Sequence, residues 1–95
     1  MVKVNWTTQA KNDLISIAEF ISQDSKKYAR IQVQRIRHKT QQLREYPKSG
    51  REVPELDNPR IRELVQGNYR IIYCLVSDER VDILTIHHSA RLLGI

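Results

Sequence analysis

Cys74 is the sole cysteine among the 95 residues, which excludes an internal disulfide framework and a cysteine-based zinc site. Three glycines and three prolines are too few for a low-complexity or collagen-like chain. No apolar run approaches the roughly 18 residues of a membrane span. The first residues, Met1-Val2-Lys3-Val4-Asn5-Trp6, lack the apolar stretch of a signal peptide, so the expectation is a cytoplasmic domain with no membrane partner. A glycine-rich phosphate loop is missing, and no serine sits on a recognisable nucleophile turn. Acidic residues are in deficit: 11 Asp and Glu against 16 Lys and Arg leave a net charge of +5. Residues 1–50 carry 10 basic and 4 acidic groups, the remainder 6 and 7. The positive field therefore belongs to the first half, where it suits nucleic acid or an acidic protein, or keeps the surface solvated.

What is present is enough for one modest core, since 40% of residues are hydrophobic and 28% charged. Val2, Val4 and Trp6 alternate with Lys3 and Asn5, the pattern of a short strand. Thr7 or Thr8 then caps a helix whose apolar stripe is Ala10, Leu14, Ile17, Ala18 and Ile21. Asp24 or Ser25 caps a second helix, expected from Lys26 to Tyr46, with the stripe Ala29, Val33, Ile36, Thr40 and Leu43. Pro47 ends it. Residues 47–60 hold all three prolines and no periodicity. Such a segment is either a plain crossover or a functional loop. Strands follow at Ile61–Val65, Tyr69–Val76 and Val81–His88, linked too tightly for parallel crossovers. The fold expected is α+β: a helical hairpin on one face of a small antiparallel sheet, in the order β-α-α-β-β-β, forming one domain over residues 1–95. Its core should contain Leu14, Ile17, Ile21, Val33, Ile36 and Leu43. The Tyr69–Val76 strand is apolar on both faces, and one hairpin covers only one of them. A loop, a second copy or another protein must cover the other.

Three groups carry candidate chemistry. His87 and His88 are adjacent on a strand, point to opposite faces and so cannot share a metal. Each reads as a titrating group or as a strand-end hydrogen-bonding residue. On a helical wheel, Lys26, Arg30, Arg37 and Arg44 fall in a row beside the stripe of the second helix. Cations beside an apolar seam suit an acidic amphipathic segment or phosphates, or merely lay their stems along the rim of the core. The last group is the strand arginines Arg60, Arg62 and Arg70, with Arg91 beyond the final strand. Arg70 sits in a central strand, so it needs a carboxylate, for which Glu63 or Glu55 is available, or an anionic ligand.

The frame Trp6…Ala10…Asp13-Leu14…Ile17, then Leu43…Pro47…Gly50-Arg51…Val53-Pro54-Glu55, then Arg62-Glu63-Leu64…Tyr69-Arg70-Ile71-Ile72-Tyr73, and finally Val81-Asp82-Ile83-Leu84-Thr85-Ile86-His87-His88-Ser89-Ala90-Arg91 resembles the ParE/RelE superfamily of bacterial type II toxins, nearer the ParE branch. The resemblance spans nearly the whole chain. It implies a toxin neutralised by an acidic cognate antitoxin, associated with growth inhibition and plasmid stabilisation, with no cofactor and no metal. It also implies a hetero-oligomer with that antitoxin and leaves room for a homodimer. ParE-like members poison DNA gyrase, whereas RelE-like members cut messenger RNA on the ribosome. In the RelE pattern, functional arginines match Arg70 and Arg91, and a catalytic tyrosine follows near the C-terminus. No tyrosine follows Tyr73 here, which leaves His87 or His88 as the substitute. Arg62 and the row Lys26, Arg30, Arg37 and Arg44 are the candidate partner-binding residues. The resemblance points to a gyrase poison, with a RelE-like endonuclease or an inactive antitoxin-binding relative as alternatives.

Overall fold

A computed structural model describes residues 1–88. The chain forms β1 (Lys3–Trp6), α1 (Thr8–Ser22), α2 (Lys26–Gln41), a 3₁₀ turn (Gln42–Arg44), β2 (Arg51–Glu52), β3 (Ile61–Gln66), β4 (Tyr69–Ser77) and β5 (Arg80–His88). Of the alternative caps, Thr7 and Ser25 are the ones used: their hydroxyls accept from the backbone N–H of Ala10 and Tyr28, satisfying donors that a helix start leaves open. The second helix stops at Gln41, short of the expected Tyr46, and tightens into the 3₁₀ turn. No helix among the described residues is long and apolar enough to cross a membrane.

The sheet is mixed rather than purely antiparallel, in the spatial order β1-β5-β4-β3-β2. β3, β4 and β5 form the expected antiparallel meander. β1, by contrast, pairs in parallel with β5, Val4 opposite Val81 and Trp6 opposite Ile83. The meander connections forbid parallel pairing, but β1 and β5 are separated by both helices and by β2, β3 and β4, and a connection of that length permits it. The two-residue β2, inside the proline-containing segment, is a further strand that the sequence pattern did not predict; Arg51 pairs with Glu63 and Glu52 with Arg62.

Both helices cover one face. Leu64, Ile71 and Ile86 are mutual neighbours across the ladders, as are Tyr73 and Ile83, and Leu75 and Val81. This face packs on Ala10, Leu14, Ile36 and Leu43 in one cluster. A bulge at Leu84, unpaired between the Thr85–Ile72 and Ile83–Tyr73 pairs, lets Ile83 and Ile86 share that face although they are three residues apart. Of the six expected core residues, Leu14, Ile36 and Leu43 are buried and Ile17 and Val33 pack half-buried against the cluster. Ile21, near the end of α1, is half-buried and lines a small cavity with Tyr28, Gln32 and Tyr69.

The other face is covered by the chain's own loop. Val53 and Ile72 are each 1% exposed. The segment that carries Val53 is pinned at three points: the Val53 N–H donates to the Ile61 carbonyl, the Tyr73 hydroxyl donates to the Pro47 carbonyl, and the Gly50 N–H donates to that hydroxyl. Gly50 is required there, since a Cβ would lie 2.5 Å from the Glu63 carbonyl oxygen and 2.7 Å from the Tyr73 hydroxyl. Cys74 and Val76 on the same strand remain half-buried.

Candidate functional site

Arg70 lies on the loop-covered face, because it is directly opposite His87 on β5 and Val65 on β3. It is 8% exposed and held by both carboxylates that the sequence offered. Its Nη1 and Nη2 donate to Glu55 Oε2 and Oε1 at 2.7 and 2.8 Å, a two-point fork. Its Nε donates to Glu63 Oε1 at 3.0 Å, and Nη2 donates to the same oxygen. The far oxygen of Glu63 accepts from Arg51 Nε at 2.9 Å. Two cations and two anions thus form one chain, with the Glu63 side chain fully buried, Arg70 9% exposed and Glu55 42% exposed.

The electrostatics follow from that geometry. Hydrogen bonds from Arg70 hold the Glu55 carboxyl down at about 2. The same bonds, first to Glu55 and then to Glu63, raise the Arg70 guanidinium above its ordinary value. The cluster is locally neutral. An arginine offers five N–H donors, and here the fork that would grip a phosphate already grips Glu55.

The register brings together only part of the candidate catalytic set. His87 shares a face with Arg70. His88 points to the helix side, its ring edge-on to Tyr69 at 5.4 Å and 87°; both histidines border a cavity of about 500 Å³ with Gln9, Asp13 and Phe20. His87 and His88 therefore cannot both act with Arg70. Arg91 lies outside the described residues.

The basic row is exposed throughout. Lys26 and Arg30 line a groove of about 300 Å³ between α1 and α2, with Ala18, Ala29 and Val33 as its apolar floor. Arg37 continues along α2. Arg44 falls in the 3₁₀ turn, where each residue advances about 120° rather than 100°, so the wheel angle assumed for it does not hold. Arg62 is separate from this row, on β3, with Nη1 donating to the Gly50 carbonyl at 3.0 Å.

Two polar residues escaped sequence reasoning. Gln32, 5% exposed, lies on the buried side of α2; its spacing of three from Ala29 was the available signal. Asp13 accepts from the Ile86 backbone N–H at 3.1 Å and from the Thr85 hydroxyl. It satisfies β5 where β1 has already ended, and nothing local in the sequence announces that contact.

Comparison with known proteins agrees over the whole length. A curated relative, Toxin RelE2 of Caulobacter vibrioides, is 37% identical over 92 residues, covering 97% of this chain and 100% of the relative. A solved structure described as the chromosomal ParDE TA system from P. aeruginosa superposes with a TM-score of 0.76 at 23% identity, over 93% of this chain and 96% of the other, and supports the fold. Residues 4–93 match the family described as the ParE toxin of type II toxin-antitoxin system, parDE, and the chain belongs to that family.

Proposed function

We propose that this chain is the toxin of a toxin–antitoxin pair, held inactive by an acidic antitoxin, and that its target is DNA gyrase rather than messenger RNA. The observation that carries the choice of target is the double carboxylate on Arg70. In-line attack by a ribose 2′-hydroxyl needs free cations at the phosphate, a proton acceptor and a proton donor. An incoming phosphate at Arg70 meets Glu55 and Glu63 instead. His87 is the described histidine on that face, and residues 74–95 contain no tyrosine to complete a RelE-type set. Among the described residues, Arg51 and Arg70 on this face are both tied to carboxylates, which disfavours RNA cleavage, and the ParE family match then favours gyrase.

The antitoxin reading draws on the family match and on the relative and the solved structure, whose names place them among toxins and toxin–antitoxin systems. The exposed cations Lys26, Arg30 and Arg37 beside the α1–α2 groove offer an acidic segment both charge and apolar contact. The test is expression without antitoxin, with gyrase-linked DNA breaks and ribosome-dependent mRNA cleavage assayed separately. Trapped gyrase with intact mRNA is the expected result. Ribosome-dependent cuts that vanish on changing His87, His88 or Arg91 overturn it in favour of a RelE-like endonuclease, and neither activity makes the chain an inactive relative.

A further inference from the structure

At the Ser77–Arg80 end of the β4–β5 ladder, the end remote from His88, lies a second concavity of about 420 Å³. Lys48, Arg60 and Arg62 line it, together with Pro59, Leu75 and Ser77. It is on the helix side of the sheet, because Arg62 is directly opposite Tyr73, a member of the helix-facing cluster. Arg70 points to the opposite face, so this concavity is separate from the cluster described above.

Its cations lack direct ion pairs, although Glu52 stands opposite Arg62 across the β2–β3 pair. Each of the strand arginines Arg51, Arg70 and Arg80 is paired with a carboxylate. Among the described residues, Lys48, Arg60 and Arg62 have no ion pair. Arg60 instead donates Nε and Nη2 to the Leu75 and Val76 carbonyls, and Arg62 donates Nη1 to the Gly50 carbonyl. Two bonds fix the Arg60 guanidinium plane and one anchors that of Arg62, without neutralising either. The Nε of Arg62 is buried with no hydrogen-bond partner among the described residues, a state that is costly for a polar group and more so for a charged one. Asp78 also lines the concavity without pairing with any of the three. Orienting two arginines by backbone carbonyls, while leaving their charge open beside a lysine, is the arrangement that an anion completes.

We infer that this concavity is an anion site for a phosphate group, gripped by Arg60 and Arg62 with Lys48 at the mouth. Phosphate matches the fork spacing of a guanidinium and accepts several N–H bonds at once. The volume admits a nucleotide as well as a bare phosphate. The inference does not depend on which target the toxin attacks.

The test is thermal unfolding and calorimetric titration of the full chain at fixed ionic strength, with inorganic phosphate, ATP and a short single-stranded DNA as separate probes. A saturable rise in Tm with phosphate or ATP is expected, and it should weaken about ten- to hundredfold in Arg60→Gln, from loss of charged hydrogen bonds. Lys48→Gln, at an exposed residue whose side chain makes no bond among the described residues, should weaken binding without altering the unliganded Tm, which keeps the result readable if the arginine variant folds poorly. Lys39→Gln, a change on α2 at a residue that does not line the concavity, should bind as the parent does. Tight binding of phosphate or ATP identifies a free small molecule as the source, and binding of DNA alone identifies a nucleic-acid backbone. No saturable response to any probe overturns the site, as does an equal loss in Lys39→Gln and Lys48→Gln, which marks general attraction to a basic protein.

Discussion

Replacing Arg70 with methionine removes the cation that Glu55 and Glu63 share. Glu63 then remains buried, its side chain 0% exposed, with Arg51 on one oxygen at 2.8 Å and nothing on the other. Removing one member of a buried ion pair costs about 3–5 kcal/mol. Because Arg51 stays, the lower end applies, about 3 kcal/mol, which for a domain of this length lowers Tm by about 12–24 °C. Urea denaturation at pH 7 measures it as a fall in midpoint at unchanged slope. Arg70→Met with Glu63→Leu removes charge from both sides and should recover most of the loss, since apolar replacement of a buried pair is often neutral. A loss below about 1 kcal/mol for Arg70→Met, or a double variant less stable than the single, refutes the assignment of Glu63 as an anion that depends on Arg70. Glu55 supplies the pH arm. Its folded value, about 2, lies below the ordinary 4.5, so its contribution is complete above 4.5 and is lost as pH falls toward 2. The midpoint gap between parent and Glu55→Gln should therefore hold steady above pH 5 and close through that window. In an Arg70→Met background no such gap should exist.

Gly50→Ala places a methyl against the Glu63 backbone and the Tyr73 hydroxyl, and the resulting overpacking should cost about 1–3 kcal/mol, seen as a lower Tm. Tyr73→Phe strips the Pro47 carbonyl and Gly50 N–H of their shared partner and should cost about 1–3 kcal/mol. Burial raises the Tyr73 hydroxyl above its ordinary value of 10.0, so the unfolded chain loses that proton first and stability falls as pH rises past 10. Alkaline unfolding of Tyr73→Phe should lack that component.

The helices were legible because their signal is local: stripes of period 3.6 and hydroxyl caps at Thr7 and Ser25 depend on neighbours within a turn or two. The meander was legible for the same reason, its strands being joined by short turns, Gly67 taking φ +59° in the first of them. The parallel seat of β1 was not, since Lys3–Trp6 meets Arg80–Ile83 and no local pattern encodes so distant a pairing. The bulge at Leu84 likewise hid which of Thr85, Ile86 and His87 shares a face with Arg70, as a one-residue slip exchanges the faces. The need of Arg70 for a carboxylate was readable from its place in an apolar strand. That Glu55 and Glu63 serve it together became visible only once residues 53–60 were seen folded over Ile72.

The parallel pairing of β1 with β5 bears on the order in which the toxin assembles. The helical hairpin and the β3–β4 pair can form as soon as residues 8–77 exist, but β5 is the second strand of the sheet, and Val81, Ile83 and Ile86 belong to the central cluster. Until Arg80–His88 has been synthesised, β1 has no strand to join, and Ile71 and Tyr73 lack neighbours along one side. Closing so long a loop is entropically slow. The sheet therefore stays open along the β4 edge until β5 is made, and the toxin's native surface comes into being only once β5 has been inserted between β1 and β4.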